Sequence, residues 1–382
     1  MTARYAPVKT LFLYVTEDCN LRCDYCFVKK TPRRMSRETA LKTVDFLLNR
    51  EVSGAAYDLN INLFGGEPFM ELDTIEEIVN YANLYRPNTY KKVHFSATTN
   101  ATIVGPRVER LVRENKMSLL ISMDGGPRPM SHRPFVSGRS AFHVIERNLP
   151  RLVDWSPRSV VRLTFHPKSL ELVENVKFLL ELGAPAVAVC PVLEADWRGH
   201  EERLDEAYQA LADWYIQEAR RGILLPLVIT HTLLLAWHRG LHGAPRPSRP
   251  CSVGTSMLAV DPDGHVMPCH RFISRPQDWL GRVDRPALEG RTRYVEISSR
   301  NFLGCDKCTA EPVCGGGCRT VALIAGLGLE EAHPAHCLTM RAHVSALRRI
   351  YESLLSEENP AFHRLLKSTA PVTGAMAEMI LS

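Results

Sequence analysis

Three cysteines near the start of the chain have the spacing of a metal site. The segment CNLRCDYCF places Cys19, Cys23 and Cys26 with three and then two residues between them, directly after an apolar run, Leu11–Val15, of strand length. Loops at the C-terminal ends of parallel strands are where α/β folds gather reactive groups. Three thiolates occupy only three corners of a four-iron cube, so the fourth iron stays open to a bidentate small molecule. A zinc site is the alternative. It normally wants a fourth ligand nearby, and none stands between Pro32 and Gly66.

Polar groups recur at the ends of the following apolar runs. Gly65, Gly66, Glu67 and Pro68 follow Ile61–Phe64, Thr98 to Asn100 follow Val93–Ala97, and Ser122 to Gly125 close Leu119–Met123. Two glycines admit a close backbone approach to a ligand, and a carboxylate complements an ammonium. Arg133 follows in HRPFVSGRSAF. With the three-cysteine loop, this series resembles the radical S-adenosylmethionine (SAM) superfamily over roughly the first half of the chain, the span of a partial barrel.

The resemblance implies a [4Fe–4S] cluster on Cys19, Cys23 and Cys26 that chelates SAM. Gly65, Gly66, Glu67 and Pro68 would bind its methionine amino group, and Arg133 its carboxylate. Thr98, Asn100, Ser122 and Asp124 supply further contacts, with Tyr25 near the adenine. Reductive cleavage then yields a 5′-deoxyadenosyl radical that takes a hydrogen atom from the substrate, the protein orienting the reactants.

Seven of the eleven cysteines fall between Cys251 and Cys337. Cys251 is followed by Gly264 and Cys269, then Cys305, Cys308, Cys314 and Cys318 read C-x2-C-x5-C-x3-C, and Cys337 completes the set. Cys305 to Cys318 alone would suit a zinc ribbon at least as well. All seven resemble the SPASM motif, which implies two auxiliary [4Fe–4S] clusters: Cys305, Cys308, Cys314 and Cys337 on one, Cys251, Cys269 and Cys318 on the other. The second set lacks an evident fourth thiolate, leaving either an open iron or an outside ligand, for which Cys190 is a candidate. Its bland reading is a small buried apolar residue.

SPASM relatives mostly modify peptides or proteins, so the implied substrate is a ribosomally made peptide or protein. DPDGHVMPCHRF resembles maturases that install thioether or carbon–carbon crosslinks, and a crosslink requires a second electron to leave the peptide. The competing reading is an anaerobic sulfatase-maturating enzyme, which forms formylglycine and carries an aspartate where this chain has His270. His270 is a candidate base. Glu194 and Asp196, past the end of Ala186–Val192, are candidates to face the substrate. A flavodoxin or ferredoxin is the implied reductant. The first strand begins near Leu11, which leaves no room for a leader-peptide module, so a separate protein or the enzyme's own barrel and C-terminal helices would recognise the peptide. A non-catalytic iron–sulfur electron carrier is the reading from another class; it needs clusters but not Glu67, Asp124 or Arg133.

These residues require a scaffold of parallel strands. Apolar runs at Leu11–Val15, Ile61–Phe64, Val93–Ala97, Leu119–Met123, Val160–Phe165 and Ala186–Val192 alternate with helical patterns starting near Ser36, Asp73, Pro106, Ser140 and Ser169. Six βα units imply an α/β parallel sheet, and with the resemblance a partial (β/α)6 TIM barrel followed by a C-terminal iron–sulfur module and terminal helices. The expected domains are 1–239, 240–337 and 338–382, joined at the Gly/Pro-rich stretch Gly240–Pro250. Helical patterns cover Glu201–Arg221 and Leu338–Leu355, and a hairpin is expected around Asp261 to Gly264. With 45% apolar and 23% charged residues, the chain has the balance of a globular protein. Its net charge of +5 is dispersed, which argues against a nucleic-acid arm. No signal peptide and no membrane span is read. The expected location is the reducing cytoplasm, where cysteines serve as thiolates or ligands.

Overall fold

The computed structural model describes residues 6–85, 90–244, 251–298 and 302–368. Of the Gly/Pro-rich stretch, residues 245–250 lie outside the described residues, as do 369–382 of the expected C-terminal tail. The chain gathers into two compact units, each built from separated segments. The first holds Met1–Ser122, Ser131–Ser159 and Ser252–Glu296; the second holds Met123–Met130, Val160–Cys251 and Ile297–Ser382. The class is α/β with parallel strands in both, as the alternating sequence pattern indicates.

In the first unit, β1 (Thr10–Thr16), β2 (Asp58–Gly65), β3 (Lys92–Thr99) and β4 (Ser118–Ser122) pair side by side, all parallel. Every residue of β1 is buried, the state of a strand covered on both faces, and this explains its unbroken apolar run. The register sets Tyr14 beside Phe64, Asn62 beside Ser96 and Thr98 beside Leu120. Side chains alternate along a strand, so Phe12, Tyr14, Asn62, Phe64, Ser96, Thr98 and Ser122 share one face. The helices Arg37–Leu48, Leu72–Tyr85, Pro106–Glu114 and Phe142–Trp155 follow the strands in turn. The first starts where the Ser36 hydroxyl accepts the Thr39 amide at 3.1 Å, an N-cap that satisfies an otherwise unpaired donor.

The expected hairpin forms as β7 (Met257–Val260) and β8 (Val266–Met267). Its turn is held by Asp261 Oδ1, which accepts the amides of Asp263 and His265, with Gly264 at a left-handed φ of 88°. What the pattern did not reveal is that β7 also runs parallel to β1, on the side opposite β2. The hairpin therefore carries Cys269 and His270 into the sheet that bears the first cysteine loop.

In the second unit, β5 (Val160–Phe165) and β6 (Val187–Pro191) pair in parallel. Helices span Leu172–Glu181, Glu201–Arg220, Val228–Leu241, Pro334–Ser356 and Pro360–Lys367. The helix Val228–Leu241 falls between the expected helix Glu201–Arg221 and the Gly/Pro-rich stretch, where the sequence pattern assigned no element. Thr230 and His231 meet interior partners instead of solvent, with Thr230 Oγ1 3.1 Å from His343 Nε2 and the Tyr215 hydroxyl 2.8 Å from His231 Nε2. Among the described residues, no helix is long and apolar enough to cross a membrane.

Candidate active site

In the first unit the cysteine loop leaves β1 and is clamped by the segment that carries Arg133. The amides of Arg22 and Asp24 donate to Pro134 and His132 carbonyls at 2.8 and 3.2 Å, and the Val136 amide donates to Asn20 at 3.1 Å. Each cysteine sulfur then faces nitrogen. The Leu21 amide and the Asn100 side chain donate to Cys19 Sγ at 3.4 and 3.5 Å. Arg133 Nη1 stands 3.9 Å from Cys23 Sγ, and Lys30 Nζ stands 3.1 Å from Cys26 Sγ. Each of the three sulfurs thus has a hydrogen-bond donor or a cation beside it.

Burial, followed by the Glu67 charge, pushes the Cys19 thiol up to about 11. The protein alone would leave that thiol protonated; a cation bound at the sulfurs would be needed to deprotonate it. Three thiolates with oriented donors behind them fit a cluster held by three protein ligands.

Gly65 and Gly66 permit a close approach, but to the chain itself and not only to a ligand. The Gly66 and Glu67 amides donate to the Thr16 and Asp18 carbonyls, both at 2.9 Å. A Cβ on Gly65 would fall 2.0 Å from Thr16 O, and one on Gly66 1.8 Å from Asp18 O. The end of β2 is thereby pressed onto the strand of backbone leading to Cys19. Pro68 opens the short 3-10 turn that follows.

Glu67 is 0% exposed. Its Oε1 accepts the Thr99 hydroxyl and the Phe69 amide at 2.9 and 3.1 Å, and its Oε2 accepts the Asn100 amide at 2.7 Å. Desolvation outweighs these donors and pushes its carboxyl up to about 7. The carboxylate expected to meet an ammonium is thus first a brace between the ends of β2 and β3.

The other expected SAM contacts differ in availability. The Thr98 hydroxyl is out of solvent and has no hydrogen-bond partner among the described residues. An orphaned polar atom on the face shared with Ser122 fits a bound polar ligand. Arg133 is 6% exposed, with its guanidinium 5.2 Å from the Tyr25 ring. On the same face, His270 is 2% exposed, stacked on Phe12 at 4.4 Å and flanked by Phe64 and Phe27 at 4.8 and 5.7 Å. Its carbonyl accepts the Tyr14 hydroxyl at 2.6 Å. Cys269, 4% exposed, precedes it.

The second unit holds the remaining candidates. Asp124 is buried, and its Oδ1 accepts the Thr164 amide at 2.9 Å, an anchor for β5. Asp196 is exposed and takes hydrogen bonds from Arg198 at 2.6 and 2.8 Å; these hold its carboxyl down at about 2, which makes it a poor proton acceptor. Glu194 is exposed in the turn after β6, and its charge reaches His333. Cys190 is buried in β6. Cys305, Cys308, Cys314 and Cys337 line one cleft. Burial pushes the Cys314 thiol up to about 12 and raises Cys305 and Cys337, with neighbouring sulfurs adding to it. Thiols that resist ionisation until a cation arrives again suit a metal centre. Cys251 and Cys318 belong to the same unit.

The Radical SAM superfamily model matches residues 13–184. The chain carries a radical SAM domain. An uncharacterized protein of Methanocaldococcus jannaschii is 28% identical over 183 residues, covering 47% of this chain and 62% of that one. The radical SAM cyclopropyl synthase TigE of Paramaledivibacter caminithermalis is 21% identical, over 81% of this chain and 68% of its own. The serine-type anaerobic sulfatase-maturating enzyme of Klebsiella aerogenes is 24% identical, over 82% of this chain and 80% of its own. Among solved structures, native anSMEcpe with bound AdoMet and Cp18Cys peptide superposes with a TM-score of 0.74 at 19% identity. It covers 94% of this chain and all of that one, a likeness of fold.

Sequence reading of the radical SAM domain missed Lys30, Phe12, Phe27 and Phe64. Lys30 stands four residues after Cys26, a spacing that offered a signal. The aromatic group around His270 offered none, because Phe12, Phe64 and His270 are distant in sequence and meet only through the β1–β7 pairing.

Proposed function

We propose that this chain is a radical SAM enzyme that oxidises a ribosomally made peptide or protein and closes an intramolecular thioether or carbon–carbon crosslink. The observation that carries the reading is that Cys19, Cys23 and Cys26 share one loop in which each sulfur faces a nitrogen donor, while His270 stacks on Phe12 of the strand leading into that loop. Cys19, Cys23 and Cys26 would hold the SAM-binding [4Fe–4S] cluster. Cys305, Cys308, Cys314 and Cys337 would hold one auxiliary cluster, and Cys251, Cys269 and Cys318 would contribute to a second. Together these groups supply hydrogen-atom abstraction by reductive SAM cleavage and a sink for a second electron.

The chain's own part is placement. Glu67 and Asn100 lock the strand ends under the cysteine loop, while Thr98 and Ser122 offer polar groups and Arg133 a charge to SAM. Phe12, Phe27 and Phe64 exclude water around His270, which accepts the proton released as the crosslink closes. The expected reductant is a flavodoxin or ferredoxin of a reducing cytoplasm. Peptide recognition falls to this chain or to a separate leader-binding protein.

Formylglycine formation is the second reading, favoured by the match to a sulfatase-maturating enzyme over 82% of the chain. Against it stands His270 in place of the aspartate that the sulfatase reading expects. Anaerobic reconstitution with SAM, a reductant and candidate peptides encoded beside the gene separates the two. A crosslink removes two hydrogens and suppresses fragmentation between the joined residues. Formylglycine instead gives an aldehyde that a hydrazide captures. No 5′-deoxyadenosine and no mass change from fully loaded protein leaves the non-catalytic electron carrier.

A further inference from the structure

The loop between Cys314 and Cys318 is three glycines, Gly315, Gly316 and Gly317, all left-handed with φ of 61°, 90° and 82°. Only glycine adopts that run without strain, and space gives a second reason. A Cβ on Gly316 would lie 2.6 Å from the Phe302 ring and 3.0 Å from Arg319 Nη2; on Gly317 it would lie 2.4 Å from the His336 ring. The loop is therefore pressed between Arg319 and Phe302 on one side and His336 on the other, with His336 Nε2 3.2 Å from Cys314 Sγ.

Arg319 is 5% exposed. Its Nε and Nη2 donate to Gly317 O at 3.1 and 3.0 Å, its Nη1 donates to Leu329 O at 2.7 Å, and its guanidinium lies 4.4 Å over the Phe302 ring. All of these partners are neutral. Among the described residues no carboxylate pairs with it. A buried cation with no counter-anion is costly, so something anionic belongs beside it. Arg319 follows Cys318 directly, and the Gly317 carbonyl it holds lies in the three-glycine link between Cys314 and Cys318. One of these two cysteines belongs to each sulfur set.

We propose that Arg319 is the built-in countercharge of both auxiliary sulfur sets, raising the reduction potential of the clusters they hold so that these accept an electron from the substrate. Reduction adds negative charge to a cluster. A fixed cation nearby, in a low-dielectric interior, favours the reduced form. The role is one of positioning charge and involves no contact with substrate. It rests on the reading that these cysteines hold clusters.

The test is an EPR-monitored redox titration of the full-length, anaerobically reconstituted protein with Cys19, Cys23 and Cys26 changed to Ala, so that only auxiliary clusters report. Arg319→Gln is expected to keep its iron and shift the auxiliary midpoints to more negative values, while Arg319→Lys stays near the parent. Unchanged midpoints in Arg319→Gln overturn the proposal, as does a Lys variant that shifts as far as Gln. If Arg319→Gln loses iron, Lys decides. Iron and midpoint retained in Lys support a charge role, whereas iron lost in Lys too assigns Arg319 to holding the Gly317 and Leu329 carbonyls and overturns it. A parent protein without auxiliary iron refutes the cluster assignment itself, an outcome distinct from any of these.

Discussion

The Asn100 backbone amide donates to Glu67 Oε2 at 2.7 Å, while the same residue's side chain donates to Cys19 Sγ at 3.5 Å and to Asn20 Oδ1 at 2.9 Å. One residue at the end of β3 thus joins the glycine-rich end of β2 to the first cysteine. Because the brace is sealed from solvent, its stability depends on whether Glu67 carries a proton.

Burial lifts the Glu67 carboxyl from its usual 4.5 to about 7, so the folded state keeps this proton to higher pH than the unfolded chain. Its stabilising effect is full below pH 4.5 and is lost as pH rises through 7; the gap is worth ~3 kcal/mol at most. Glu67→Gln stays neutral throughout. In cluster-free protein, the thermal midpoint of wild type is expected to fall between pH 5 and 8 more steeply than that of Glu67→Gln. Parallel slopes would remove Glu67 from the pH dependence.

Asn100→Asp preserves an acceptor for the Thr102 amide and hydroxyl but places a carboxylate where a donor faced Cys19. A negative neighbour disfavours reduction of a cluster on that sulfur. The expected result is retained iron, a more negative midpoint for the SAM-binding cluster and slower 5′-deoxyadenosine release. Asn100→Ala, which only deletes the bonds, should cost ~1–3 kcal/mol of stability. A wild-type midpoint in the Asp variant counts against the contact.

Much of this was legible because the chemistry is local. Cys19, Cys23 and Cys26 sit within eight residues, and a strand before them fixes which way the loop faces. Each of the six strand runs appears in the structure, and β1, buried along its whole length, wrote itself as a continuous apolar stretch. What sequence could not give is partnership at long range. Gly65 and Gly66 read as ligand-approach residues, yet the backbone at Thr16 and Asp18 is what crowds them. The helix Val228–Leu241 went unassigned, because its polar positions Thr230 and His231 find their partners, His343 and Tyr215, only at long range.

The glycines give a sharp contrast. Gly65→Ala and Gly66→Ala drive a Cβ to 2.0 and 1.8 Å from backbone carbonyls, which no side chain can relieve. Each should cost more than about 4 kcal/mol, in the range of severe core damage, and yield protein that is aggregated or bare of iron. Gly240→Ala, in a helix with nothing within 4 Å of the new Cβ, should stabilise by ~0.5–1 kcal/mol. Thermal melts and iron content check all three. A well-folded, iron-loaded Gly66→Ala would show that the packing of β2 on the cysteine loop is looser than described.

His270 tests how the reaction ends. Its ring lies among Phe12, Phe27 and Phe64, and as the base for closure it acts after the radical has formed, so its loss should spare SAM cleavage and impair closure. In His270→Gln and His270→Ala, 5′-deoxyadenosine release is expected to stay within about threefold of wild type. Modified peptide should fall by ~10²–10⁴, the usual cost of removing a general base. The Gln variant keeps most of the ring's volume and separates proton acceptance from packing, because Ala alone opens a cavity worth a few kcal/mol. If both products fall together, His270 supports the cysteine loop and takes no proton. If Gln forms crosslinked peptide at the wild-type rate, another group is the base.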